Sequence, residues 1–105
     1  MVQNAAGKFP VPGIPSILAA ARTVTTIPAD NAISITDPPA SAPGAYPIST
    51  FTYAIVPTSS SAAPTLRPFL TYAITAGQGF GPPLKFAPLP PTIVAAAKKA
   101  IDSIR

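Results

Sequence analysis

The side chains that could take part in chemistry are few in this 105-residue sequence, and they are spread along the chain. Its side-chain carboxylates are Asp30, Asp37 and Asp102. Asp30 and Asp37 flank a short apolar run and could approach each other across it, as a general acid–base pair requires. A catalytic pair also needs a pocket and perturbed pKa values, so solvated turn residues are the simpler interpretation. Asp102 lies on the polar face of the last predicted helix and is interpreted as a surface charge.

Histidine and cysteine are both absent. Their absence excludes a disulfide, a thiolate nucleophile and a Cys/His zinc site. It also removes the side chain most often used for proton transfer near neutral pH. We therefore expect no enzymatic activity, and the sequence offers no catalytic, cofactor-binding or metal-ligating residue.

Several hydroxyl and guanidinium groups could in principle hold an anion. Ser49, Thr50 and Thr52 lie on or beside an apolar run, and hydroxyls can bind an oxyanion together with N–H groups at a helix start. No Arg or helix start is adjacent to them in the sequence, so we interpret them as strand residues. Arg22 and Arg67 fall on predicted helices, where a solvated face accounts for both.

The glycine-rich run and the basic residues bear on nucleotide and nucleic-acid binding. The glycine-rich run Gly77–Gly81 follows a predicted helix and leads into two prolines, whereas a phosphate loop follows a strand and opens a helix. We interpret it as the end of a helix.

The net charge is +4, but Lys98 and Lys99 are the only adjacent basic residues. A nucleic-acid partner, which would need a basic stripe with interleaved aromatics, is not expected.

The elements that must position these groups are short, because 16 prolines interrupt the chain. The patterns predict a helix over 16–24, a brief strand over 33–35 and a proline-rich connector over 37–47. A stronger strand is predicted at 50–56, where β-branched and aromatic residues fill both faces, as in a strand covered on two sides. Two helices follow, over 66–77 and 91–104. The second has Ile93, Ile101 and Ile104 on one face.

The first of the two closing helices has Pro68 in its opening turn and Gly77 just past its end, the positions at which these residues are tolerated. The last helix needs a broad apolar surface on which to dock. One strong strand and one weak strand are too little sheet for an α/β layer. The missing strands are therefore expected in sequence outside this chain.

The order of these segments resembles the C-terminal third of phosphate-binding proteins of the ABC phosphate transporter. The segments that carry the resemblance run from Gln3 to Ile104 and are QNAAGKF, PADNAISITDPPA, AYPISTFTYAIVP, LRPFLTYAITAGQGF and KFAPLPPTIVAAAKKAI. The most specific stretches are Tyr46 to Pro57 and Phe86 to Val94. The collinear series, rather than any short motif, identifies the family.

The resemblance implies an α/β fold: a C-terminal fragment of a two-lobed, type II periplasmic-binding-protein-like structure with short helices and few strands. Residues 1–45 would finish the second lobe and a connector. Residues 46–105 would supply a hinge-crossing strand and the closing helices of the first lobe. In the family, the phosphate contacts lie in earlier parts of the protein, so no ligand-binding residue is assigned in this chain.

The implied function is the binding of inorganic phosphate by the full-length protein and its delivery to the ABC transporter permease in the membrane. The protein would be exported to the periplasm or cell surface. Met1–Lys8 lacks the pattern of a signal peptide, so any export signal or lipoprotein anchor would precede it. The alternative is a self-standing structural or interaction module without ligand binding.

Overall fold

The computed structural model describes residues 1–105 and contains helices but no strand. Three α-helices span Ile14–Ala21 (α1), Ala63–Ile74 (α2) and Pro91–Asp102 (α3). Two short 3-10 helices, Ala76–Phe80 and Pro82–Leu84, connect α2 to α3. The predicted α/β class is therefore wrong, and with it the periplasmic-binding-protein-like fragment with sheet strands.

The two predicted strands fail for the same physical reason. A strand exists only when a neighbouring segment completes its hydrogen-bond ladder. Residues 49–57 run without a turn or bend, yet residues 50–56 make no backbone–backbone hydrogen bond. Residues 33–35 contact this segment through side chains, with the Tyr53 hydroxyl donating to the Ile33 carbonyl. The β-forming composition is present, but the pairing partner is not.

Helix α1 begins two residues before the predicted start. Gly13 precedes its first residue, and Ser16, at which the predicted helix begins, lies in its first turn. The Ser16 hydroxyl accepts from the Gly13 N–H at 3.2 Å and donates to the Val11 carbonyl at 2.6 Å. Pro15 is compatible with the first turn because the N–H that it lacks would have no partner within the helix.

Helix α2 lies three residues before its predicted range at both ends, so Pro68 falls inside the helix and not in its opening turn. The Thr75 hydroxyl donates to the Thr71 carbonyl at 2.6 Å where the helix ends. Helix α3 begins at Pro91 as predicted and ends at Asp102, two residues early. Its expected apolar residues Ile93 and Ile101 are buried, as is Ile104 beyond the helix end.

Burial is divided between a first cluster near α1 and the contact between α2 and α3. Ala20, Ala21, Ile35 and Ala45 form the first cluster, with Phe51 packed against it. In the second half of the chain, α2 packs against α3. No hydrogen bond joins residues 1–57 to residues 58–105. The long segment that contains residues 50–56 therefore links two separately bonded halves.

The molecule is elongated, with extents of 49 × 29 × 18 Å and a radius of gyration of 15.2 Å. A compact domain of this length has a radius of gyration of about 13 Å. Its accessible surface is 6918 Å², whereas a compact monomer of this mass exposes about 5,500 Å². None of the three α-helices has the length and apolar character needed to cross a bilayer.

Candidate functional site

One open cleft lies beside α2, close to the end of α3. It has a volume of about 590 Å³, is open to solvent, and is lined by Pro64, Arg67, Pro68, Thr71, Tyr72, Thr75 and Asp102. Arg67 Nη2 lies 4.0 Å from Asp102 Oδ1, and both side chains are about half exposed. An exposed pair of this kind contributes little to stability. The Asp102 carboxylate also offsets part of the positive charge of Arg67, the one lining residue of this cleft that could attract an anion.

The sequence predicts Arg67 and Asp102 as separate solvated charges. The structure confirms that both are exposed, but it brings them together from different helices. Thr71 and Thr75 add hydroxyls to the cleft, although the Thr75 hydroxyl already donates to the Thr71 carbonyl. The cleft thus offers one shared guanidinium and a few hydroxyls, without the buried, converging donors that hold an oxyanion.

A second, smaller cleft of about 380 Å³ follows α1 and carries no charged lining residue. It is lined by Thr23, Val24, Thr25, Thr26, Pro28, Ala32, Ile33 and Ser34. The Thr23 hydroxyl donates to the Ala20 carbonyl at 2.7 Å and so caps the end of α1. Uncharged hydroxyls in an open cleft give weak selectivity for any ligand, because water competes for the same hydrogen bonds.

Of the three hydroxyls considered for anion binding, those of Ser49 and Thr50 donate within the chain, and Thr52 is exposed. Ser49 is buried and donates to the Tyr46 carbonyl at 2.8 Å. The Ser49 carbonyl in turn accepts from the Thr36 hydroxyl at 3.0 Å. The Thr50 hydroxyl is directed at the Phe51 carbonyl. The interpretation of these residues as members of a strand is wrong, since the segment has no ladder.

The carboxylates near the first cluster lie where turn residues were predicted. Asp30 is exposed and accepts from the Ala32 N–H at 3.0 Å. Asp37 is exposed, adopts a positive φ of 53°, and donates its own N–H to the Pro47 carbonyl. The prediction that both are turn residues is confirmed. No cluster of three or more acidic, His or Cys side chains is present.

The glycine-rich run follows a helix, as predicted, and continues it as the 3-10 helix Ala76–Phe80. Two of its three glycines lie in close contact with backbone: a Cβ on Gly81 would lie 3.2 Å from the Phe86 carbonyl oxygen, and one on Gly77 would lie 3.0 Å from that of Tyr72. Gln78 joins the run to its surroundings. Its side chain donates to the Ala73 carbonyl at 2.8 Å and accepts from the Leu89 N–H at 2.9 Å.

The helix starts are poor anion sites for a reason visible in the sequence. Each of the three α-helices has a proline at its first or second position. A helix start binds anions through its unpaired N–H groups, and proline has none. The first turns of α1, α2 and α3 therefore each lack one of the donors that an anion would use.

No family model matches the sequence. The resemblance to phosphate-binding proteins thus stays a prediction from the order of segments.

Proposed function

We propose that this chain is part of the phosphate-binding component of an ABC transporter and that it supports phosphate binding without contacting the ion. The observation that carries the proposal is the collinear series of segments from Gln3 to Ile104. Two stretches are most specific, AYPISTFTYAIVP and KFAPLPPTIV. The function is non-enzymatic: the full-length protein holds inorganic phosphate and delivers it to the membrane permease.

The distribution of surface supports a role that depends on further sequence. The chain buries 12 of its 105 residues and leaves large apolar side chains such as Ile55, Phe69 and Phe80 exposed. Its accessible surface exceeds that of a compact monomer by about 1,400 Å². A segment that packs against the rest of a longer protein would leave such a surface when taken alone.

The character of the clefts supports the second part of the proposal. Tight phosphate binding uses several converging donors in a site from which water is excluded. The larger cleft here is open and offers Arg67, whose charge is shared with Asp102. We therefore place the phosphate contacts in residues outside this chain, in an exported protein of the periplasm or cell surface, with or without a lipid anchor.

The function is tested by phosphate uptake. Cells of the source organism that lack this coding sequence are compared with wild-type cells for uptake of radiolabelled phosphate at a limiting external concentration. The expected result is a loss of high-affinity uptake that the intact gene restores. Wild-type uptake in the deletion strain, with expression of the chain verified in the parent, would contradict the proposal.

A self-standing structural or interaction module is the second candidate. It is favoured by Asn4, which is buried and makes four hydrogen bonds, two of them to Pro43 and Ala45 far along the chain. In addition, no buried side-chain polar atom lacks a partner. Cooperative thermal unfolding of the isolated chain as a monomer, together with normal phosphate uptake in the deletion strain, would favour this candidate.

A further inference from the structure

Residues 50–56 form an unpaired extended segment in the middle of the molecule. Their N–H and C=O groups make no backbone–backbone hydrogen bond. Within the segment, the one carbonyl that accepts any protein hydrogen bond is that of Phe51, from the neighbouring Thr50 hydroxyl. Ile55 is 97% exposed and Tyr53 is 51% exposed. The backbone N–H groups of this run, most of its carbonyls and the side chain of Ile55 thus have no partner within the chain.

The composition of the segment favours strand pairing. Residues 50–56, TFTYAIV, are β-branched, aromatic or alanine, with no Gly, Pro or charge. Segments of this kind form β-pairs readily when an edge is exposed. Natural proteins protect such edges with Lys, charge or a covering element. Here no charged residue occurs between Asp37 and Arg67, so no charge on this stretch opposes the approach of a second strand.

The segment is already held in place by its own half of the molecule. Phe51 packs against the first cluster, and its ring meets that of Tyr53 edge to face at 6.4 Å. The Tyr53 hydroxyl donates to the Ile33 carbonyl. Because two side chains are fixed and the backbone is free, pairing needs little further ordering of this chain.

We propose that a second copy of this chain occupies this edge, with residues 50–56 pairing antiparallel about a two-fold axis at Tyr53. In that register Phe51 lies opposite Ile55 of the other copy, and Ile55 lies opposite its Phe51. Aromatic and β-branched residues are favourable cross-strand neighbours. The segment is therefore complementary to itself, and Pro47 and Pro57, which lack an N–H, limit the length of the pair.

Charge and area both agree with self-pairing. The net charge of +4 is carried by residues outside the segment, so two copies meet without like charges in contact. A stable interface buries about 800 Å² on each partner. The chain exposes about 1,400 Å² beyond the surface of a compact monomer, and Tyr53 and Ile55 of this segment are among its exposed apolar residues. The inference does not depend on the proposed function.

The test measures association and backbone protection in the full 105-residue chain. Sedimentation equilibrium over a concentration series is expected to show a monomer–dimer equilibrium. Amide hydrogen exchange is expected to show every second amide of residues 50–56 becoming protected as the concentration rises, because alternate N–H groups face the partner in an antiparallel pair. The other amides of the segment should exchange rapidly throughout.

Ile55→Lys is the informative variant, because the side chain of Ile55 is almost fully exposed and its loss should leave the monomer fold unchanged. It removes two cross-strand pairs and adds a charge to the edge, so the dimer Kd should rise by about tenfold or more. Val11→Lys is the matched control, because Val11 is also exposed and apolar but lies outside the segment. The dimer Kd of this variant should equal that of the wild type. Far-UV circular dichroism at low concentration verifies that both variants fold alike.

A chain that stays monomeric, with rapid amide exchange at 50–56 at all concentrations, would overturn the proposal. The partner of this segment would then be the sheet edge of a different protein. Association that Ile55→Lys weakens no more than Val11→Lys would also overturn it, because the contact would then lie elsewhere.

Discussion

Asn4 connects two parts of the chain that are 39 and 41 residues apart. Its amide nitrogen donates to the carbonyls of Pro43 and Ala45 at 2.9 and 3.1 Å. Its amide oxygen accepts from the N–H groups of Ala6 and Lys8 at 3.1 and 3.0 Å. Both donors and the acceptor of this buried amide are therefore used, and the first cluster depends on them.

Asn4→Ala is expected to open this connection. It leaves buried carbonyl and N–H groups without partners, at a cost on the order of 2–3 kcal/mol. Amide exchange at Ala45 and Tyr46, whose N–H groups are bonded to Ala42 and Ser16, should accelerate roughly 30- to 150-fold.

The control for this experiment is Gln3→Ala, which removes one exposed hydrogen bond to Gly7 at 3.3 Å and should change exchange little. Amides of α3 should be unaffected by either substitution, because no hydrogen bond joins the two halves. If the amides of Ala45 and Tyr46 exchange no faster in Asn4→Ala than in Gln3→Ala, the role assigned to Asn4 is wrong.

At the scale of elements, Pro68 is a defect within α2. Inside a helix, proline cannot donate to the carbonyl four residues earlier, here that of Pro64, and its ring crowds that carbonyl. Pro68 is also exposed, so no core packing compensates for the lost hydrogen bond. Helix α2 therefore forms in spite of its sequence, through its contacts with α3.

Pro68→Ala is expected to stabilise α2 by about 1–2 kcal/mol, after the larger entropy of the unfolded chain is taken into account. The measurement is the thermal midpoint of the far-UV circular dichroism signal, which should rise. Pro64→Ala is the matched control: Pro64 lies in the first turn, where a missing N–H costs nothing. Equal midpoints for the two variants would show that Pro68 does not interrupt the helix.

The local patterns predicted α3 well, because Pro91 at its first position and the spacing of Ile93 and Ile101 are properties of the helix itself. They failed at 50–56, where the residues favour a strand but the pairing partner must come from elsewhere. Strand propensity describes what a segment can form by itself. The hydrogen-bond ladder of a sheet also requires a second segment, which local patterns do not reveal.

The contacts that define the candidate site were also beyond local reasoning. Arg67 and Asp102 meet because α2 packs on α3, and no spacing in the sequence indicates that contact. Asn4 carried no signal either, since an isolated asparagine near a glycine is most simply a turn residue. By contrast, Asp30 and Asp37 were placed correctly because turn formation is local.

At the scale of the whole molecule, the chain consists of the first cluster and the packed helices α2 and α3, joined by a segment whose backbone is unpaired. Such a molecule leaves apolar surface and hydrogen-bonding groups exposed. The proposal that the edge at 50–56 pairs with another strand follows from this. The proposal that phosphate is bound by residues outside this chain rests on the order of segments, and the open clefts agree with it.

The most direct test of the claim that this chain lacks its own phosphate site is calorimetric titration of the purified chain with inorganic phosphate. We predict no saturable heat beyond that of a titration with chloride at equal ionic strength. Saturable binding in the micromolar range would contradict the account, because it would require converging donors that neither cleft provides.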